Sequence, residues 1–259
     1  RAMKQANPIR RKLKQIGIAL SFASFGALCM IGNLLFLPVA LLRLNRIEVV
    51  RNFVRDFIMI SWRIFLLLAR LYGSIGVNWR CKLPPSGTLI IANHPSLLDV
   101  VIFLAHVRRA NCVVKESLCK NPFLSAAIAA AGYIPNTDSE AMIDACRSAL
   151  ARGESLIIFP EGTRSKTGEL QKAEAGVALI AAMTGAPIVP VAILNSHRIF
   201  ANGGLIPQLR IMYGTPISFH GDRKSKESLD AFSEEIMAQI ARMKDELAQQ
   251  QFCQSTFRM

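Results

Sequence analysis

The stretch that decides the fold is TLIIANHPSLLD, residues 88–99, where a short apolar segment runs into a polar turn and then into a second apolar segment. Residues 88–92 predict a strand, and the pattern after Pro95 predicts a helix over 96–107. In α/β folds, functional side chains gather in the turn that leaves the carboxyl end of a strand. His94 and Asp99 are therefore the first candidate site residues.

Strand and helix patterns alternate outward from this segment. Strands are predicted at 75–81, 112–114, 156–159, 188–193 and 209–213, and helices at 122–131, 138–152 and 173–184. An amphipathic C-terminal helix follows, with Phe232, Ile236 and Ile240 on its apolar face. This alternation predicts an α/β fold with a mixed, largely parallel sheet flanked by helices. We assign that domain to residues 73–259.

The N-terminal residues 1–72 have a different composition. Residues 16–42 are 27 positions without a charged side chain, enough for a helix of about 40 Å that crosses a bilayer. Gly26, Gly32 and Pro38 also permit a bent, re-entrant or in-plane helix. Both flanks of the segment are basic, so the positive-inside rule gives no orientation.

The next segment, 47–72, predicts an amphipathic helix. Asp56, Arg63 and Arg70 recur every seven residues, which places their charges near one face, while apolar side chains such as Phe53 and Ile60 line another. The pattern fits a helix at the membrane interface, and it also fits a helix packed against a core. With 16–42 it forms a predicted two-helix membrane-binding arm within residues 1–72.

Charge and cysteine usage separate the classes of partner. The net charge is +13, and residues 1–55 hold ten Lys or Arg against one acidic residue. These basic residues bracket apolar segments, which favours anionic lipid headgroups over nucleic acid. The six cysteines and four histidines are dispersed, so no metal site is expected, and free thiols indicate a reducing compartment. We expect the protein to associate with the cytoplasmic face of a membrane, which in a bacterium would be the inner membrane.

His94 and Asp99 have the residue types needed for general-base chemistry. A carboxylate one turn into the helix can fold back onto one imidazole nitrogen, fix the tautomer and stabilise the cation formed when the other nitrogen takes a proton. The same residues have a structural interpretation, because Ser96 followed by Asp99 three residues later resembles a helix capping box. Both interpretations are open at this point.

A second polar cluster is FPEGTRS, residues 159–165, again after an apolar strand. Glu161 can hold an acceptor hydroxyl, and Arg164 can bind an anionic headgroup with two parallel hydrogen bonds. Gly162 and Thr163 add a flexible backbone and a hydroxyl. A surface loop with an ordinary Arg–Glu pair is the structural alternative, and the glycines lack the spacing of a nucleotide phosphate loop.

Together the two clusters resemble the glycerolipid acyltransferase family, whose best-known members are the lysophosphatidate acyltransferases. The resemblance covers residues 75 to 215. His94 through Asp99 matches the H-x4-D block, 159–165 matches F-P-E-G-T-R-S, Lys115 begins a stretch similar to K-x-E-L, and 189–193 matches V-P-V-A-I. The N-terminal helices also look like the membrane-binding arm of such enzymes.

The resemblance implies transfer of an acyl chain from acyl-CoA or acyl carrier protein, as co-substrate, to a lyso-lipid hydroxyl. It implies that His94 is the general base and Asp99 its orienting partner. Glu161, Gly162 and Arg164 would bind the acceptor, while the strand at 189–193 would support the donor side. No metal or other cofactor is implied, since the thioester is already activated, and membrane lipids are the expected partners.

One position departs from the family pattern. The block at 132–136 usually carries Arg where this chain has Asn136, which can donate to a phosphate oxygen but brings no charge. Lys115 or Arg164 can supply the missing cation. The acceptor is therefore 1-acylglycerol-3-phosphate or a lyso-lipid with another headgroup, and a specialised lipid pathway is also open.

Two other functions remain alternatives. A lipid thioesterase would use water in place of the lipid hydroxyl, although the chain has no G-x-S-x-G elbow of a serine lipase. A non-catalytic membrane adaptor would use the same basic arm.

Overall fold

The computed structural model describes residues 8–79, 85–137, 140–161, 170, 176–198 and 208–256. Its centre is a seven-stranded sheet in the order β1-β7-β6-β2-β5-β3-β4. The strands are β1 (Gly76–Trp79), β2 (Leu89–Ala92), β3 (Asn111–Lys115), β4 (Ile134–Asn136), β5 (Leu156–Ile158), β6 (Ile188–Leu194) and β7 (Gln208–Tyr213).

Five neighbouring strands, from β6 to β4, are parallel, and β7 pairs with β6 in the antiparallel sense. β1 runs parallel to β7 at the far edge. The prediction of a mixed, largely parallel sheet is confirmed. The short strand β4 was not predicted, because three residues that include Pro135 carry too little pattern for a strand.

Helices cover both faces of the sheet. They are α1 (Pro8–Leu41), α2 (Glu48–Leu71), α3 (Leu98–His106), α4 (Ser125–Ala131), α5 (Glu140–Ala151), α6 (Gly176–Thr184) and α7 (Lys226–Thr256). The central strand β2 supplies both cores, because Ile90 and Ala92 pack towards α3 while Leu89 and Ile91 pack towards α5, α6 and α7. The predicted apolar face of α7 is buried in the second of these cores.

The N-terminal helices pack directly on the α/β domain. Phe65 and Ala69 of α2 belong to the same buried cluster as β2 and α3. α1 continues through Pro38 without a break and ends three residues later. Its mid-helix Asn33 accepts from the backbone N–H of Ala126 at 2.8 Å and donates to the carbonyl of Pro122 at 2.7 Å. An asparagine of α1 therefore caps the N-terminus of α4.

Buried charges fix α2 to the domain. Arg55 donates to the carbonyl of Ala131 at 2.7 Å and forms an ion pair with Glu154 at 2.9 Å, and both side chains are almost fully buried. Asp56 binds Arg109 at 3.2 Å. The polar face of α2 thus docks on the domain, and its charges satisfy helix ends and a buried carboxylate instead of facing lipid.

The opposite faces of the two helices are apolar and open. Phe53, Ile60 and Leu67 are each more than half exposed, and most large exposed hydrophobic side chains of the described residues lie between positions 9 and 71. Within the described chain, one helix is long and apolar enough to cross a membrane, over Arg11–Leu41. The predicted amphipathic helix has both expected faces, since one packs on the core and the other is unpaired.

Candidate active site

The turn after β2 brings the imidazole of His94 onto the carboxylate of Asp99. β2 ends at Ala92, and α3 begins at Leu98, so five residues reverse the chain above the sheet. Nδ1 of His94 lies 3.1 Å from Oδ2 of Asp99. The carboxylate is fully buried, whereas the His94 side chain is 14% exposed. The ring therefore has one nitrogen held inside and the opposite edge near solvent, as a general base requires.

The carboxylate of Asp99 also caps α3. The backbone N–H of Ser96 donates to Oδ2 of Asp99 at 2.6 Å, and the Ser96 hydroxyl accepts from the N–H of Leu98 at 3.2 Å. The capping box and the base–carboxylate pair, which the sequence left as alternatives, occur together. A single oxygen of Asp99 serves both, so the helix start fixes the position of the carboxylate beside His94.

The protonation of Asp99 is governed by competing effects. Burial raises the pKa of Asp99 above its ordinary value, while hydrogen bonds from His94 and from the Ser96 backbone act to lower it. Proton transfer to the imidazole creates a cation next to this carboxylate. The resulting ion pair is stabilised strongly because no water competes for the carboxylate.

Glu161 joins the second motif to the first. It lies three residues after the end of β5, and β5 is the neighbour of β2 in the sheet. Its Oε1 accepts a hydrogen bond from the backbone N–H of His94 at 3.1 Å, and its side chain is nearly buried. At least one oxygen of Glu161 thus positions His94, in addition to the acceptor-binding role that the resemblance implies.

Phe159 is a site residue to which the sequence assigned no role. Its ring stacks on the imidazole of His94 with centroids 4.1 Å apart and an interplanar angle of 27°. Phe103 of α3 supports the far side of Phe159, with centroids 6.1 Å apart. Stacking restricts rotation of the imidazole about its second side-chain torsion. The sequence feature that could have identified Phe159 is its position directly before Pro160 and Glu161 in the second motif.

Asn93 is a second residue without a predicted role. Its side-chain amide donates to the carbonyl of Ile193 at 3.0 Å and accepts from the N–H of Ile193 at 2.7 Å. These two bonds continue the β2–β6 ladder by one step through a side chain. These two hydrogen bonds, called the Asn93 clasp below, connect the turn that carries His94 to the end of β6.

The remaining predicted residues are more distant or not described. Lys115 and Asn136 are direct partners at the carboxyl ends of β3 and β4, on the same sheet edge as His94. β3 is two strands from β2, a separation of about 10 Å. The assignments to Gly162, Thr163 and Arg164 lie outside the described residues. Across the described ranges, no group of three His, Cys, Asp or Glu side chains is arranged to hold a metal ion.

Comparison with known proteins shows which family the region around this site resembles. A family model described as Acyltransferase matches residues 75–194, which include the strands and turns of this site. Residues 75–194 are thus similar to the acyltransferase family, in agreement with the resemblance seen in the sequence.

Individual relatives carry names of one activity. The chloroplastic 1-acyl-sn-glycerol-3-phosphate acyltransferase of Arabidopsis thaliana is 29% identical over 69% of this chain and 53% of its own length. The 1-acyl-sn-glycerol-3-phosphate acyltransferase of Helicobacter pylori is 34% identical over 43% of this chain and 50% of its own length. The chain thus spans about half the length of the curated relatives that it matches.

A solved structure shares the fold over almost the whole chain. The crystal structure of the 1-acyl-sn-glycerophosphate acyltransferase from Thermotoga maritima superposes with a TM-score of 0.66. The match covers 91% of this chain and 98% of the other, at 22% sequence identity. The sheet, its flanking helices and the N-terminal helices therefore form a known architecture.

Proposed function

We propose that the protein is an O-acyltransferase that moves a fatty acyl chain from acyl-CoA or acyl carrier protein to the free hydroxyl of 1-acylglycerol-3-phosphate, giving phosphatidate. The observation that carries the proposal is the His94–Asp99 pair, with the carboxylate buried and the imidazole reachable. The names of the relatives support the choice of acceptor.

The geometry supports a direct transfer. Nε2 of His94 takes the proton of the acceptor hydroxyl, while the Nδ1–H donates to Asp99. The alkoxide attacks the thioester carbonyl, the tetrahedral intermediate collapses, and the thiolate leaves with the proton that the imidazolium returns. His94 needs no covalent intermediate, and its fixed tautomer serves both proton transfers.

The phosphate of the acceptor is proposed to bind towards Lys115. The Arg of related sequences is absent at Asn136, but Lys115 is the direct strand partner of Asn136 and is exposed. The Lys115 ammonium, on its flexible side chain, supplies one positive charge, and the Asn136 amide supplies a neutral hydrogen-bond donor for the phosphate. Arg164, one of the predicted acceptor residues and three positions after Glu161 in the sequence, would add a second cation.

Hydrocarbon chains are proposed to approach from the two-helix arm. An apolar crevice lies between α1, α2 and the start of α3, and Phe22, Phe25, Phe65, Leu97 and Leu98 are among its lining residues. This places apolar surface within a few residues of His94. Exposing an acyl chain to water is costly, so apolar surface between the arm and the start of α3 lowers the cost of presenting the substrate.

The arm is proposed to lie in one leaflet at the cytoplasmic face of the membrane. The domain-facing sides of both helices are packed on α3 and α4, which leaves the apolar sides for lipid. A triple substitution, Phe53→Ser with Ile60→Ser and Leu67→Ser, should release the protein from anionic vesicles in a flotation assay. Met183→Ser removes an exposed apolar side chain from α6 and should leave binding unchanged. Tight flotation of the triple variant would contradict this arrangement.

The activity test uses purified protein with paired donors and a panel of lyso-lipids that differ in headgroup, with products identified by mass spectrometry. We expect phosphatidate from 1-acylglycerol-3-phosphate, loss of product in His94→Ala, and an unchanged rate in His220→Ala, which alters an exposed histidine. Lys115→Gln should raise KM for the phosphate acceptor more than for a zwitterionic one.

Other outcomes would replace the proposal. Release of carrier thiol with free fatty acid and no acylated lipid would identify a thioesterase. A His94→Ala variant that supports cellular function as well as the native chain would favour a membrane adaptor. Preference for another lyso-lipid would retain the chemistry and change the acceptor.

A further inference from the structure

Two buried polar atoms, one in the His94–Asp99 pair and one in Ser196, have no hydrogen-bond partner of good geometry among the described residues. They are Oδ1 of Asp99 and the hydroxyl oxygen of Ser196. Both side chains are fully buried, at 0% exposure. Oδ2 of Asp99 is already shared by His94 and Ser96. Leaving a carboxylate oxygen and a hydroxyl both unsatisfied in a dry interior is unfavourable, so each of these atoms requires an explanation.

Ser196 follows a sharp turn at the end of β6. β6 ends at Leu194, and Asn195 then adopts a left-handed backbone conformation with φ of 70°. That conformation is uncommon for a residue with a side chain. It turns the chain sharply at the strand end. The Asn93 clasp on Ile193 fixes the same strand end to the turn that carries His94. Ser196 is therefore held at a set position relative to the catalytic turn.

The electrostatics agree with this placement. Burial raises the pKa of Asp99, and the hydroxyl of Ser196 is among the groups close enough to act in the opposite direction. Among the described residues, Glu161 also contacts the pair, through its hydrogen bond to the His94 backbone. Ser196 differs from Glu161 in being neutral, so it can stabilise the Asp99 anion without adding a charge.

We propose that Ser196 is a positioning residue of the active site, whose hydroxyl donates a hydrogen bond to Oδ1 of Asp99 and so completes a chain from Ser196 through Asp99 to His94. Oδ2 holds the imidazole and the helix start, while Oδ1 is held by the end of β6. Three groups then fix the plane of the Asp99 carboxylate: the His94 imidazole, the Ser96 N–H and the Ser196 hydroxyl. This inference rests on the proposed function for its effect on turnover, and on the fold alone for its effect on the histidine.

The chain has a defined consequence for proton binding by the pair. Without the Ser196 donor, the buried anion of Asp99 loses stabilisation, most strongly while the imidazole is neutral. A proton on Asp99 removes the unstabilised anion, and a proton on His94 places a cation beside it, so either protonation compensates for the missing hydrogen bond. The first protonation of the coupled pair should therefore occur at higher pH in a variant that lacks the hydroxyl.

The test compares Ser196→Ala with Ser233→Ala in the full-length protein in detergent micelles. Ser233 of α7 is also a buried serine whose hydroxyl lacks a partner in the described part of the chain. For Ser196→Ala we expect kcat to fall about tenfold with KM nearly unchanged, and the acidic limb of the kcat/KM profile to move up by about one pH unit, the size expected for a hydrogen bond to a charged group. Ser233→Ala should leave both unchanged.

A second measurement does not depend on turnover. The imidazole of His94, assigned by loss of its signal in His94→Ala, is titrated by NMR in the native chain, Ser196→Ala and Ser196→Thr. We expect its midpoint to move to higher pH in Ser196→Ala and to return towards the native value in Ser196→Thr, which keeps a hydroxyl. An unchanged midpoint in a folded Ser196→Ala would overturn the proposal even if acyl transfer is confirmed. A shifted midpoint would support it even if no acceptor in the panel is used.

Discussion

Replacing Asp99 by Asn removes the charge of the buried carboxylate and leaves its shape almost unchanged. The Ser96 N–H donates to Oδ2 at 2.6 Å, so the amide oxygen of the variant must occupy that position, because an NH2 group there would face another donor. That oxygen still accepts from Nδ1–H of His94. The helix cap and the imidazole tautomer are therefore retained, and only the negative charge is lost.

The magnitude follows from the electrostatics of the pair. An imidazolium and a carboxylate with charge centres about 4 Å apart interact by about 4 kcal/mol at an effective dielectric constant of 20. In the proposed mechanism, the native carboxylate stabilises the cation that forms as the acceptor hydroxyl is deprotonated. Losing this interaction raises the barrier by a similar amount, which corresponds to a fall in kcat of about 10³.

The same substitution should not destabilise the fold. Burial raises the pKa of Asp99 above its value in the unfolded chain, so at neutral pH the ionised carboxylate makes folding less favourable. A neutral amide avoids that penalty, and we expect the melting temperature of Asp99→Asn to equal or exceed that of the native protein. Asp144→Asn, an exposed acid on α5, serves as the control and should change neither quantity.

The assay pairs steady-state formation of acylated lipid, followed by mass spectrometry, with thermal unfolding in detergent. A fall in kcat of less than tenfold would show that the Asp99 charge does not stabilise the transition state. A melting temperature lowered by several degrees would show that the lost activity reflects unfolding, and the electrostatic argument would then be wrong.

Three further predictions concern the supports of the site. Arg55→Met removes the most deeply buried of the three described arginines that pair with Glu154 and should lower the free energy of unfolding by about 3–5 kcal/mol, measured by denaturant titration. Burial acts to raise the pKa of Glu154, but the neighbouring arginines hold it below its ordinary value, so the stabilisation is present at neutral pH and is lost as pH falls through the lowered pKa. The native protein should therefore lose more stability than Glu154→Gln below about pH 4.3, and equal losses would exclude the ion pair as the cause. Asn33→Ala removes the cap that α1 supplies to α4 and should cost about 1 kcal/mol of unfolding free energy; an unchanged value would mean that water replaces the cap. Phe159→Leu keeps an apolar side chain but removes the ring stacked on the imidazole, and should lower kcat threefold to tenfold with KM unchanged in steady-state kinetics; an effect confined to KM would place Phe159 in substrate binding instead.

The His94–Asp99 pair shows how much of the candidate site can be predicted from residues that are close together in the sequence. His94 and Asp99 are five residues apart across a strand–turn–helix junction, so their proximity follows from the local geometry of that junction. Glu161 is 67 residues from His94, yet its position was also predictable, because the carboxyl ends of neighbouring parallel strands meet at one edge of a sheet.

The arm illustrates what pattern alone leaves open. The sequence predicted an apolar helix over 16–42 and an amphipathic helix over 47–72, and both helices are present. It could not show that Arg55 and Glu154 are partners or that Asn33 caps α4, because each contact joins residues about a hundred positions apart. Nor could it decide whether α1 leaves the domain or packs along it, since apolar periodicity is the same in both cases.

The sequence by itself predicted the order of strands and helices apart from β4, the presence of an apolar arm and the candidate general base, because each depends on residues that are near one another along the chain. Tertiary structure alone decided that the Asn93 side chain binds the backbone of Ile193 in β6 and that the Phe159 ring stacks on His94. These contacts depend on which strands are neighbours in the sheet, and neighbouring strands are chosen by the packing of the whole core.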